Sequence, residues 1–255
     1  MLIARRKDQA KYPQAWDELE AAWYPGAGPS GTRLYDLSGR DNHCTLTNGP
    51  TWVDAQGGKA IQLDGVNDFG IVSAKNLNVG SGSFSFWASS TVAGNYRLLG
   101  NRDAATGGGA DLFVTSGGSI GAYNTSIGSL LSPGSLFLFD GTMNHYSILI
   151  ESGVGLKMFR NGTPLYSTAT AGSINSSNND FYIGRFPPSA IQFFNGRFAD
   201  ILIHSRALRN DEVKLLAQRP GILLEPKPRV FYSIPASVKA WLFRRQSQII
   251  GGGLG

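Results

Sequence analysis

The sequence is poor in the residues that long helices, disulfides and membrane spans require. Among 255 residues there are five glutamates (18, 20, 151, 212 and 225) and eight lysines. Long helices use both on their wet faces, so the scarcity excludes a mainly helical fold. Cys44 is the single cysteine, which excludes an intramolecular disulfide and a thiolate metal cluster. No apolar run approaches the ~18 residues of a membrane-spanning helix. The opening Met1-Leu2-Ile3-Ala4-Arg5-Arg6-Lys7 carries charge but lacks the apolar stretch of roughly 7–15 residues that a signal peptide needs. The expectation is a chain folded in a reducing cytoplasm, with no membrane partner.

The residues that are abundant point to strands and tight turns. Thirty-three glycines, 42% apolar residues and only 16% charged residues describe a full core wrapped by short connections. The net charge of +5 is unevenly placed. Residues 1–20 hold four basic and four acidic residues, and residues 21–217 hold thirteen of each. Residues 218–255 hold six basic residues against Glu225 alone, so the whole excess lies there. Six charges over 38 residues make a weak footprint for nucleic acid, and an acidic protein surface is the better match.

Along the chain, residues 15–24 (AWDELEAAWY) have the composition of a short helix that Pro25 would stop. From Leu34 onwards, short apolar runs alternate with glycine, asparagine and serine. Strands are expected around the turn Asp64-Gly65-Val66-Asn67-Asp68, and over Ser83-Phe84-Ser85-Phe86-Trp87, which places Phe84 and Phe86 on one face and leaves the other polar until Trp87, as for a strand with only one side in the core. Further strands are expected over 96–99, 110–115, 136–139, 146–150, 156–160, 181–183 and 197–204. Asn161-Gly162 suits both positive-φ positions of a type I′ hairpin, and 170–179 is a polar loop. One late helix is expected through Glu212-Val213-Lys214-Leu215-Leu216, capped by Asn210 or Asp211 and ended by Pro220-Gly221. The fold class is all-β: a two-sheet antiparallel sandwich with one short C-terminal helix. The expected division is an arm (1–20), a sandwich (21–217) and a basic, partly apolar C-terminal arm (218–255).

Seven segments in order resemble one family. They are Asp36-Leu37-Ser38-Gly39-Arg40-Asp41-Asn42, Ala60 to Phe69, Ser83 to Trp87, Phe159-Arg160-Asn161-Gly162, Phe181-Tyr182-Ile183-Gly184, Phe194 to Ile201, and Ser205-Arg206-Ala207-Leu208 with Glu212-Val213. Together they are similar to laminin-G-like, concanavalin A-like jelly-roll domains, which implies two antiparallel sheets, one of them concave. Arg206, next to the start of the helix, is expected to lock that helix onto the sandwich. Weaker likenesses at Leu215 to Leu224 and Ile249 to Gly255 are similar to structural proteins of tailed bacteriophages.

The glucanase branch of this family needs clustered carboxylates on one strand, with acid and nucleophile ~5.5 Å apart. No strand here carries such a pattern, so the expectation is a protein that is not an enzyme. His43, His145 and His204 lack metal-like spacing. The resemblance implies calcium as a candidate cofactor, and Asp36, Asp64, Asn67, Asp68 and Asp200 are the oxygen donors within matching motifs. The same residues equally suit Asx-turns that brace tight loops. For a glycan, Tyr96, Asn101, Arg102, Asp103, Tyr123 and Asn124 lie in loop-rich stretches that offer an aromatic platform with polar partners.

The function these features imply is a structural or interaction protein, a virion component of capsid or tail assembled in the host cytoplasm. Its expected partners are other virion proteins, further copies of itself and glycans. Arg229, Phe231, Tyr232, Trp241, Phe243, Arg244 and Arg245 are the candidate docking residues of the C-terminal arm. A lectin module that recognises host-surface glycans is the alternative.

Overall fold

The computed structural model describes residues 11–225, apart from 56–57, 74–76, 78–81, 104–107, 125–127, 152–153, 170–176, 178 and 188. The docking residues Arg229, Phe231, Tyr232, Trp241, Phe243, Arg244 and Arg245 lie outside the described residues, as does most of the expected 170–179 loop. Among the described residues the chain forms two eight-stranded sheets in which neighbouring strands run antiparallel.

The first sheet contains β1 (Leu19–Trp23), β4 (Thr51–Ala55), β5 (Gly58–Asp64), β7 (Gly82–Ser89), β12 (Asn144–Glu151), β13 (Gly155–Arg160), β14 (Thr163–Thr168) and β16 (Asn195–His204). Its order is β14-β13-β12-β7-β16-β5-β4, with β1 also paired to β16. The second contains β2 (Arg33–Leu34), β3 (Cys44–Thr47), β6 (Phe69–Val72), β8 (Tyr96–Gly100), β9 (Asp111–Val114), β10 (Ile120–Asn124), β11 (Gly128–Leu131) and β15 (Phe181–Ile183). Its order is β11-β10-β9-β8-β15-β6-β3-β2.

Alternation along the strands fills the space between the sheets. Phe84, Phe86, Tyr146, Ile148, Phe198 and Ile201 from the first sheet meet Leu98, Leu112, Val114, Phe181 and Ile183 from the second. Each such side chain contributes about 1.5–3 kcal/mol by leaving water. Asn161 and Gly162 both take positive φ, 52° and 78°, and join β13 to β14 as the hairpin expected. Gly65 has φ 77°, and a Cβ there would meet Asn195 Cβ at 2.6 Å, so both conformation and space require glycine.

Four expectations need correction. Residues 19–23 form β1, not a helix. Helix propensity is weak beside tertiary packing, and β1 covers the second half of β16 while burying Ala21 and Trp23 towards one core and Leu19 and Ala22 towards another. Residues 136–139 form no strand. Phe137 instead plugs the core, stacked 5.0 Å from Tyr146, and its N–H bonds to Gly118 O. The serine face of β7 is not wet: Ser83 and Ser85 are fully buried. The helix, α1 (Asn210–Gln218), is capped by Arg209, whose N–H donates to Glu212 Oε2 at 2.8 Å.

The serine face of β7 is buried because the outer face of the first sheet is roofed. Helix α1, with 3-10 turns at Pro13–Trp16 and Ile222–Leu224, packs Ala15, Val213, Leu216, Ile222 and Leu223 onto Leu149, Phe159 and Leu202. Lys11 and Glu225 meet at 3.0 Å. The packed body therefore runs past the expected boundaries at 20 and 218. Arg206 locks this roof, as expected. Its two terminal nitrogens clasp both Glu212 oxygens at 2.7 and 2.8 Å, and Nε donates to Asp17 O.

Candidate functional site

The five candidate calcium ligands do not converge. Asp36 accepts N–H groups from Ala22, Ser38 and Asn42 at 2.9–3.0 Å, and the Ser38 hydroxyl at 2.6 Å. Asp64 Oδ1 accepts three backbone N–H groups, from Val66, Asn67 and Asp68. Desolvation acts to raise the Asp64 pKa, but those N–H donors outweigh it and hold the carboxyl below its ordinary value. Asp68 closes the same loop by accepting Asp64 N–H, and Asn67 O accepts from Asn48. Asp200 sits at a bulge in β16 with φ 45°, where burial pushes it up to about 7 against the opposing hydrogen bond from Gly221 N–H. Among the described residues, no group of three or more His, Cys, Asp or Glu is arranged to hold a metal ion.

Of the six candidate glycan residues, the structure brings two together. Arg102 lies over the Tyr123 ring, 3.9 Å from its centroid. Tyr96 packs inward, edge-on to Phe194. Asn101 is buried, with Oδ1 accepting Ala110 N–H and Nδ2 reaching Leu77 O. The Asp103 N–H bonds to Gly108 O, and the Asn124 side chain lies outside the described residues.

Arg102 and Tyr123 belong to a larger array on the outer face of the second sheet. Leu112 and Val114 of β9 point into the core, so Asp111 and Phe113 project from the opposite face. The register sets Asp111 opposite Tyr123, and Phe113 opposite Arg97. The Arg97 guanidinium lies between Phe113 at 4.8 Å and Phe186 at 4.7 Å. Farther along, Arg185 stacks on Tyr182 at 4.2 Å and on Phe69 at 4.7 Å. Phe186 arrives on a loop that returns to β8 through Arg97 N–H to Gln192 O.

Asp111 stands beneath two of these arginines and is 1% exposed. Arg97 Nε is 3.4 Å and Arg102 Nη1 is 3.8 Å from its oxygens. These are ion-pair distances without hydrogen-bond geometry: among the described residues, both Asp111 oxygens, and Nε of both arginines, lack hydrogen-bond partners. Burial pushes the Asp111 carboxyl up to about 6 while Arg97 and Arg102 pull it down. Native cores rarely leave such groups unpartnered, and this cluster gathers four of the buried atoms without partners among the described residues.

A cavity of about 430 Å³ lies elsewhere, between β12–β14 and residues 207–210 on the first sheet, and none of these groups lines it. The array lies on the outer face of the second sheet. It can offer a ligand fixed guanidinium N–H donors around aromatic rings. The sequence carried a signal for Asp111, Phe113, Arg97 and Tyr182, since each alternates with core residues on its strand. Phe186 and Arg185 come from a loop and left no such signal.

A profile of the concanavalin A-like lectin/glucanases superfamily matches residues 64–214. No curated protein sequence matches the chain. Among solved structures, the binding domain of Paraclostridial mosquitocidal protein 1 superposes with TM-score 0.64 at 18% identity, covering 80% of this chain and 52% of that one. Domain 4 of AbnA, a GH43 extracellular arabinanase from Geobacillus stearothermophilus in complex with arabinotriose, gives 0.64 at 17% identity, covering 79% and 98%. The ligand-binding domain of botulinum neurotoxin serotype D in complex with N-acetylneuraminic acid gives 0.64 at 14% identity, covering 85% and 56%. The chain thus spans about half the length of the two toxin domains. With its matched profile and its two antiparallel sheets, the chain belongs to the concanavalin A-like lectin/glucanases superfamily.

Proposed function

We propose that this protein is a non-catalytic glycan-binding module that presents the outer face of its second sheet to a sugar. The array of Arg97, Arg102, Arg185 and the rings beneath them carries this reading. The opposite sheet is closed by its roof, whereas this face carries the ring-stacked arginines. Three of the structural neighbours are binding domains or hold a saccharide, which supports a binding role. The sequence lacks the clustered strand carboxylates that glycoside hydrolysis needs. A glycan array with the full chain tests the reading. Tyr123→Ala is expected to lose most of the signal, because truncation removes the ring that holds Arg102. Retention of full signal by that variant would move the site elsewhere.

We further propose that the module is carried on a larger assembly, a virion of the tailed-phage kind. Lys11 and Glu225 pair within the roof, on the side of the sandwich away from the arginine array. A segment continuing from Glu225 would anchor one side and leave the sugar-binding face outward. The basic excess of residues 218–255 supports attachment to an acidic partner. Removing residues 226–255 is expected to abolish incorporation into the particle while leaving glycan binding intact. Trp241→Ala should weaken incorporation at every salt concentration, whereas charge reversal at Arg244 and Arg245 should act mainly at low salt.

A further inference from the structure

Resting on that glycan-binding reading, we infer that the sugar taken here is an acidic one, its carboxylate or sulfate held by the edges of Arg97 and Arg102 while Asp111 fixes both guanidinium groups from below. Charge favours this. Arg97 and Arg102 share one carboxylate, so their cluster keeps a net positive charge, and Arg185 adds another on the same face. The two arginine side chains are only 17% and 24% exposed. A neutral ligand covering them removes water without returning opposite charge, whereas an anion returns it.

Geometry agrees. Arg102 rests 3.9 Å over Tyr123, and Arg97 sits between two rings, so the flat faces of both guanidinium groups are occupied. Both Nε atoms are buried, so what remains is the terminal Nη edge, whose paired N–H groups match two oxygens of a carboxylate or sulfate. The rings have likewise given a face to a guanidinium, which lessens their use as a platform for stacking a neutral pyranose. Asp111 is too deep to touch a ligand. It acts as a positioning residue that holds two like charges side by side, and the half-buried, ring-held forks lose little freedom on binding.

The test titrates the full chain with a panel of uronic-acid oligosaccharides, the same sugars after carboxyl reduction, sulfated neutral oligosaccharides of equal length and a single-stranded DNA. The uronate or the sulfated sugar is expected to bind roughly tenfold or more tightly than the reduced sugar, as charge-assisted hydrogen bonds exceed neutral ones. Affinity should fall as salt rises. Arg102→Lys keeps the charge but loses the fork, and should lose most of that preference while its thermal melt stays close to wild type. Equal affinity for acidic and reduced sugars would overturn the acidic class and leave glycan binding standing. Equal binding of the DNA would overturn it too, since charge alone would then suffice. Acidic-sugar binding unchanged by both Arg102→Lys and Arg97→Gln would remove the site from this face. Absence of binding to any sugar would overturn both this inference and the reading it rests on.

Discussion

The two sheets have opposite outer faces. On the first sheet Ser83, Ser85 and Ser147 are buried under α1 and the terminal turns, and the chain supplies their partners. Ser85 and Ser147 bond each other at 2.7 Å, while Ser83 accepts Leu208 N–H and donates to Arg206 O. His204 bonds Ala15 O, although His145, edge-on to Trp87, has neither ring nitrogen partnered. On the second sheet Asp111, Arg97 and Arg102 have buried atoms without hydrogen-bond partners among the described residues. A buried polar group must be satisfied by something. The chain satisfies the covered serines itself, whereas the part-exposed guanidinium groups of Arg97 and Arg102 still turn terminal N–H groups outward, where a ligand can meet them.

Stripping the roof is the most drastic way to break this contrast. A chain of residues 21–217 loses Ala15, Leu19, Ile222 and Leu223 from the packed cluster. Removing several buried side chains at about 2–5 kcal/mol each approaches the whole stability of a domain. That chain should show no cooperative melt, while residues 11–225 should melt sharply. Equal melting of the two would mean that the roof is decoration.

Arg206→Ala and Arg185→Ala separate structural from functional arginines. Arg206 holds the largely buried Glu212 bidentately, so its loss should cost about 3 kcal/mol in urea unfolding. Arg185 stacks on the half-buried Tyr182 and on Phe69 without an ion pair among the described residues, and its loss should cost about 1 kcal/mol or less. Comparable losses would erase the distinction.

Acid titration sharpens the comparison next. Burial pushes the Asp111 carboxyl of the folded protein up to about 6, above its unfolded value. The stability tied to its neutral form is therefore full below about pH 4 and is lost as pH rises through 6, by up to roughly 2–3 kcal/mol. Asp200, at about 7, has the same sign. His145 and His204, pushed by burial down to about 3 and about 4, have the opposite sign. Their contribution is full above about pH 6.5 and is lost as pH falls through those values. Asp111→Asn should therefore make stability fall less between pH 4 and 6.5 than wild type does. Identical pH profiles would show that Asp111 is not held as described.

The smallest effect concerns calcium. Because Asp64 already accepts three N–H groups, Asp64→Ala should cost about 1 kcal/mol through the lost turn. Millimolar calcium or chelator should move the melting temperature less than that substitution does. A calcium-dependent rise abolished by Asp64→Ala would instead assign the loop to an ion.

Much of this protein was legible as a string. Period-two alternation marked the core faces of β7, β12, β15 and β16, and Asn161-Gly162 and Asp64-Gly65 marked turns, because dihedral preference and side-chain alternation are properties of neighbours in sequence. Arg206 beside Glu212 was readable for the same reason, six residues apart on one short connection. Three features were decided only in three dimensions. Residues 19–23 became a strand because β16 offered them an unpaired flank, a fact of the far end of the chain. The serines of β7 became buried because both termini fold over them. The arginine array draws on β8, β9, β10 and the loop at Phe186, and sequence spacing cannot show which outward residues share a patch. Local chemistry sets what each segment is. Which segments meet, and which polar groups are left unpartnered where they do, follows from long-range packing alone.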